Sequence, residues 1–202
     1  MFRRIDRNRH SNTQTIITLM SEGKSNSPKI ENIVASGSIA DTIDLDLIST
    51  KIENCELNKK RFPGAVFRIQ DPKMAFLIFS SGKVVITGVK THEDLATGLD
   101  ILMKKLTDAG VTCHETTTVA VTNMVCSYDL GNKINLNKVV MAMSLESIEY
   151  EPEQFPGLVY RIPDPKVVAL LFSSGKIILT GGKNMEDVKR GLAFLEQKIG
   201  SI

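Results

Sequence analysis

The chain has 202 residues, 42% hydrophobic and 24% charged, which suits a core-forming globular protein of one domain or two of about 100 residues. No apolar run approaches the ~20 residues that span a bilayer, and three scattered cysteines (Cys55, Cys113, Cys126) form neither a disulfide framework nor a zinc pattern, reading instead as reduced thiols of an intracellular protein. The net charge of +2 is uneven: residues 1–28 carry +3, residues 29–108 are neutral and residues 109–202 carry −1, so a polyanion would have to meet local basic patches rather than a global field.

The first segment is Arg-rich, Phe2-Arg3-Arg4-Ile5-Asp6-Arg7-Asn8-Arg9-His10, and runs through Ser/Asn-rich sequence to Pro28. A transit peptide and a DNA-touching arm are both open for it. The simpler expectation for residues 1–28 is a disordered basic extension, or an upstream start codon with Met20 as the true first residue.

Next, Leu45, Ile48, Ile52 and Cys55 follow helical spacing behind a capping Asp44. After Phe62-Pro63-Gly64 come β-rich runs at Ala65–Ile69, Ala75–Phe79 and Lys83–Thr87, with turns at Asp71-Pro72 and Ser81-Gly82. A second helix sets Leu95, Leu99, Leu102 and Leu106 on one stripe behind Thr91, a cap with an Asp three residues on. Gly98 sits mid-helix, where a missing side chain permits close approach to a sheet.

The same signals then return. Phe62-Pro63-Gly64, Asp71-Pro72-Lys73 and Phe79-Ser80-Ser81-Gly82-Lys83 recur 93 residues later, and residues 62–90 match residues 155–183 at 18 of 29 positions. Asn32-Ile33-Val34 matches Asn123-Met124-Val125 at an offset of 91. Leu136, Val139 and Met143 behind Asn135 echo the first helix. Val188, Leu192, Leu195 and Ile199 behind Asn184 echo the second, with Gly191 in place of Gly98. The organisation expected is residues 29–108 and 109–202 as two repeats within one pseudo-symmetric α+β domain, with helices on one face of a sheet.

Strand alternation sends Val84 and Ile86 to one face and Lys83, Val85 and Thr87 to the other; Phe76 and Ile78 oppose Ala75, Leu77 and Phe79 in the same way. Helices cover only one face, so the other keeps large apolar groups, repeated as Leu170, Phe172 and Ile178 with Thr180. An exposed apolar surface of that extent marks a binding site. From pattern alone, a sandwich in which this face packs on another sheet or a dimer mate stays open. Two details favour DNA. Arg68, Arg161, Lys83 and Lys176 take equivalent positions as cations rimming an apolar floor, and the polar groups of that floor (Asn32, Asn123, Thr87, Thr180) are neutral and paired. Such a surface fits the minor groove at A·T pairs, with cations for the flanking phosphates.

The doubled pattern Asn-x-Val, Phe-Pro-Gly-x-Val-x-Arg-Ile, x-Phe-x-Ser-Gly-Lys and Thr-Gly resembles the TATA-binding protein family over about 85% of the chain. That resemblance implies a saddle-shaped, ten-stranded curved antiparallel sheet with helices on the convex face, and a general transcription initiation factor that binds and bends the TATA box through the minor groove. It implies intercalating phenylalanines at Phe62, Phe79, Phe155 and Phe172, and base contacts from Asn32, Asn123, Thr87 and Thr180. Apolar floor contacts fall on Val34, Val125, Leu77, Leu170, Val85 and Ile178, the last replacing a customary valine. Phosphate contacts fall on Arg68, Arg161, Lys83, Lys176, Ser81 and Ser174.

The two copies differ ahead of the Phe-Pro-Gly motif. The first has Asn58-Lys59-Lys60-Arg61; the second has Glu149-Tyr150-Glu151-Pro152-Glu153-Gln154. Either charge run reads also as a solvated loop. The resemblance implies that Glu151 and Glu153 bind the B-type transcription initiation factor, and RNA polymerase indirectly. It also points to the archaeal type, and hence to a cytoplasmic, nucleoid-associated protein (nuclear were the source eukaryotic). No cofactor and no metal are expected, and the apolar face allows a homodimer when free of DNA. Two other classes stand beside this one. The same half-fold occurs within DNA glycosylases, but His10, His92 and His114 have no ligand or triad spacing and no phosphate-binding Gly loop is present. A protein-binding scaffold using the apolar face without DNA is the alternative.

Overall fold

The computed structural model describes residues 27–142 and 147–200, so the basic segment and Met143 lie outside the described residues. In chain order the elements are β1 (Lys29–Ser38), α1 (Leu45–Lys51), β2 (Cys55–Leu57), β3 (Ala65–Gln70), β4 (Lys73–Ile78), β5 (Lys83–Val89) and α2 (His92–Ala109). Then follow β6 (Ala120–Asp129), α3 (Leu136–Ala142), β7 (Ile148–Glu149), β8 (Gly157–Ile162), β9 (Val167–Phe172), β10 (Lys176–Thr180) and α4 (Met185–Ile199). The strands form one ten-stranded sheet in the order β2-β3-β4-β5-β1-β6-β10-β9-β8-β7, and the pairings within each half are antiparallel. That is the α+β sheet architecture expected. By contacts the described residues divide into a unit of residues 32–124 and a unit that joins residues 27–31 with described residues from 125 onward.

In the unit of residues 32–124, strand alternation decides which side chains meet the helices. Ala65, Phe67, Phe76, Ile78, Val84 and Ile86 are buried, whereas Val66, Leu77, Val85 and Thr87 between them are half-buried. Helix α2 lies on β5 and against α1, contributing Leu102 and Leu106, both fully buried. Leu95 and Leu99 of the expected stripe are only half-buried. The stripe is centred instead on Gly98, Leu102, Leu106 and Ala109. At Gly98 a Cβ would run into the Met74 side chain, so the close approach read from the sequence is real. Thr91 caps the helix by accepting a hydrogen bond from Asp94 N (3.0 Å), and Asp44 caps α1 by accepting from Asp46 N and Leu47 N.

The first helix is shorter than its apolar spacing implies. It stops at Lys51, Ile52 is extended, Asn54 adopts a left-handed φ of 61°, and Cys55 opens a strand paired with Phe67 rather than a further helical turn. Phe79 likewise falls just beyond β4. Its N–H donates to Lys83 O (2.9 Å), closing the Ser81-Gly82 turn.

The second unit repeats this plan. Leu158, Ala169, Leu171, Ile177 and Leu179 are fully buried beneath α4, which packs on β9 and β10 through Val188, Leu192 and Leu195. Asn184 caps α4 at Asp187 N (2.8 Å), and Asn135 caps α3 at Lys138 N (3.2 Å). Cys55 and Cys126 are buried free thiols, and burial pushes both up to about 11, so they stay protonated at neutral pH.

Leu171 stands between Ile177 on one neighbouring strand and Leu158 on the other. Leu171→Ala should lower the unfolding free energy by about 2–5 kcal/mol, seen as a lower denaturant midpoint at unchanged slope.

Candidate nucleic-acid interface

On the face away from the helices, register lines the side chains into rows. In the first unit one row runs Glu56, Val66, Leu77, Val85, Ser36 across five paired strands. In the second the equivalent row runs Glu149, Val159, Leu170, Ile178, Ser127. A neighbouring row holds Arg68, Ala75 and Thr87 in the first unit, and Arg161, Val168, Thr180 and Val125 in the second. The structure thus gathers Leu77 and Val85 of the first unit, and Leu170 and Ile178 with the adjacent Val125 of the second, into an apolar strip ended by a carboxylate on the edge strand.

The strip is less exposed than expected. Val34, Leu77 and Val85 are half-buried, and Leu170, Phe172 and Ile178 are 8%, 6% and 2% exposed. The reason is lateral packing: cross-strand neighbours on a pleated face stand about 5 Å apart, and Val125, Phe155, Val159 and Val168 close over that trio. The second unit's strip is therefore a small cluster, not a set of isolated apolar side chains.

Beside each strip, where β3 begins and β4 ends in the first unit and where β8 begins and β9 ends in the second, two phenylalanines meet. Phe62 and Phe79 lie edge-to-face with ring centroids 5.5 Å apart at 60°; Phe155 and Phe172 repeat this at 5.7 Å and 68°. Glycine makes the pairing possible. A Cβ on Gly64 would stand 2.7 Å from Phe62, and one on Gly157 2.7 Å from Phe155 and 3.0 Å from Phe172. Any side chain there would displace the rings, which explains why Gly follows Phe-Pro in both copies.

The polar groups of the floor are aimed. A bulge where β5 meets β1 brings the Gly88 N–H to Asn32 Oδ1 (2.8 Å), which leaves Asn32 Nδ2 to donate to Thr87 Oγ1 (3.2 Å). With its oxygen engaged, the amide presents only its N–H side, and Thr87, having accepted, keeps its hydroxyl proton to donate. Such a pair suits the acceptor-only edge of A·T pairs and opposes the guanine amino group. Asn123 and Thr180 are half-buried in the second copy.

The rim holds a relation the sequence reading did not name. Arg68 is ion-paired with Glu56 (3.3 Å), and Arg161 with Glu149 (2.9 Å from Nη2, 3.3 Å from Nε). The signal was present: the offset of 93 that maps Arg68 onto Arg161 also maps Glu56 onto Glu149. Lys83, Ser81 and Ser174 are exposed and Lys176 is half-buried. In the loops ahead of the phenylalanines, Lys59 pairs with Asp46 (2.7 Å), while Glu151 and Glu153 are exposed. The described residues contain no cluster of three or more metal-ligating side chains.

A family profile described as transcription factor TFIID, or TATA-binding protein, matches residues 27–109 and again residues 118–201. TATA-box-binding protein 1 of Methanosarcina acetivorans is 50% identical over 174 residues, covering 86% of this chain and 95% of that one. The TATA-box-binding protein of Archaeoglobus fulgidus is 46% identical with the same coverage. The solved structure of Methanococcus jannaschii TBP superposes with a TM-score of 0.80 at 45% identity, over 87% of this chain and 99% of that chain. The repeated sheet, its matched phenylalanine pairs and these likenesses together make this chain a member of the TATA-binding protein family.

Proposed function

We propose that this protein is a general transcription initiation factor that binds the TATA box through the minor groove and bends it. The observation that carries the reading is the phenylalanine pair beside each apolar strip, set against Gly64 in one copy and Gly157 in the other. Each unit presses its strip into the groove and drives Phe62 with Phe79, or Phe155 with Phe172, into one base step. Opening a step costs a few kcal/mol, a value known for minor-groove architectural proteins of this and other families. Burial of the strip offsets it, at about 25 cal/mol per Å2 of apolar surface removed from water. Flexible TA steps open most cheaply, so preference for TATA-like sequence follows from deformability as well as from contact.

Within this reading Val34, Leu77 and Val85, and Val125, Leu170 and Ile178, line the groove floor. Asn32 with Thr87, and Asn123 with Thr180, donate to A N3 and T O2. Lys83, Lys176, Ser81, Ser174, Arg68 and Arg161 meet phosphates. A DNA-free protein scaffold leaves the paired wedges and the Asn32–Thr87 pair without a purpose.

The partner reading goes further. The exposed Glu151 and Glu153 recruit a B-type initiation factor, which brings RNA polymerase, while the protein works on nucleoid DNA. Off DNA, a second copy shields the apolar strips. The charge difference between the two loops gives a nearly two-fold clamp a direction.

Two experiments test this. On a TATA duplex labelled at both ends, saturating protein should raise fluorescence transfer as the ends approach, and Phe155→Ala with Phe172→Ala should abolish the bend at one step. An unbent duplex, or normal bending by the double variant, rejects the mechanism. Glu151→Lys with Glu153→Lys should bind the duplex normally yet lose the supershift given by B-type factor; an unchanged supershift rejects the loop as its docking site.

A further inference from the structure

The two rim arginines are expected phosphate contacts on the open face, yet neither presents a bare cation. Glu56 and Arg68 lie on adjacent strands of the same face, as do Glu149 and Arg161, and the pairing recurs at equivalent positions in both copies. The second pair is the closer, with both Nε and Nη2 on one carboxylate oxygen. All four side chains are at least half exposed, so each ion pair is weak on its own and open to exchange with another anion.

We infer that Glu56 and Glu149 are positioning carboxylates that cancel the rim arginines' charge and so hold down the share of DNA affinity drawn from phosphates. This rests on the DNA-binding reading and deepens it. A carboxylate and a phosphate compete for the same guanidinium fork. While Glu149 holds Arg161, approach of DNA releases no counterion on that arginine's account, and a phosphate nearby is met by a net-neutral pair. The electrostatic part of binding is insensitive to sequence and falls with salt. Muting it transfers the work to the apolar strips and the wedges, which respond to how easily the DNA deforms, and makes binding tolerant of high ionic strength.

The test is a salt titration of affinity for a TATA duplex and a GC-only duplex of equal length. It uses the full chain, Glu149→Gln, Glu56→Gln and the double variant. Asp100→Asn, an exposed helix position, reports the effect of removing any one negative charge. Each Glu→Gln should steepen the slope of log K against log salt by about 0.9, as one arginine is freed to neutralise a phosphate. Affinity at low salt should rise roughly two- to fivefold on both duplexes, the range of an exposed ion pair. Arg161→Gln added to Glu149→Gln should return the slope to its starting value. Asp100→Asn should leave the slope as it was. An unchanged or flatter slope in both Glu→Gln variants, or weaker binding by them, overturns the inference, because a carboxylate that merely braces its arginine for phosphate would give that result. If the unaltered chain fails to prefer the TATA duplex at any salt, it is the DNA-binding reading that fails, whatever the variants do.

Discussion

The period of two along a β-strand governs this molecule. Each strand must send alternate side chains to opposite faces, and in both copies one alternate set is apolar enough to fill the space under a helix while the other is apolar as well. A half-polar sheet would have ended with a solvated outer face. Here Val66, Leu77 and Val85, with their counterparts Val159, Leu170 and Ile178, are set in register by cross-strand pairing. Lateral contact hides part of that surface but supplies no covering layer, and the strip remains the natural seat for a ligand with a long, shallow, mostly apolar groove.

The remaining features serve that strip. Helices α2 and α4 approach the sheet closely because Gly98 and Gly191 lack side chains, and a Cβ on the latter would stand 3.3 Å from Val167. Beside the strip, glycine lets two phenylalanines pair edge-to-face, a contact worth about 0.5–1.5 kcal/mol that holds the rings together in the free protein. Where β5 meets β1, the Gly88 N–H fixes the Asn32 amide, whose nitrogen donates to Thr87 Oγ1. Preorganisation of wedge and donor keeps the ordering cost of binding low.

Much of this was legible in the amino-acid sequence because duplication wrote it twice. The 93-residue offset pairs Phe62 with Phe155 and Thr87 with Thr180, and pairs of that kind survive only where both copies meet the same demand. Alternation correctly separated Phe76 and Ile78 from Leu77, and the Thr91 and Asn184 caps fell where the helices begin. What was not legible depended on short-range geometry and on strand neighbours. Cys55 continued a helical spacing, but Asn54 in a left-handed conformation turns the chain into an edge strand too short to show a period of its own. The burial of Ile178 comes from four neighbours brought together by pairing. Glu56 stands twelve residues from Arg68, and only the hairpin-like return of β2 along β3 makes them partners.

Bending depends on the phenylalanine wedges entering the DNA. A TATA duplex carrying 2-aminopurine at the outermost steps of the element reports stacking directly, since its fluorescence is quenched in the stack. Saturating protein should raise the emission at both outer steps and leave a probe outside the element unchanged. Emission that stays quenched at both outer steps while the protein is bound would contradict the central claim that these phenylalanines open the stack.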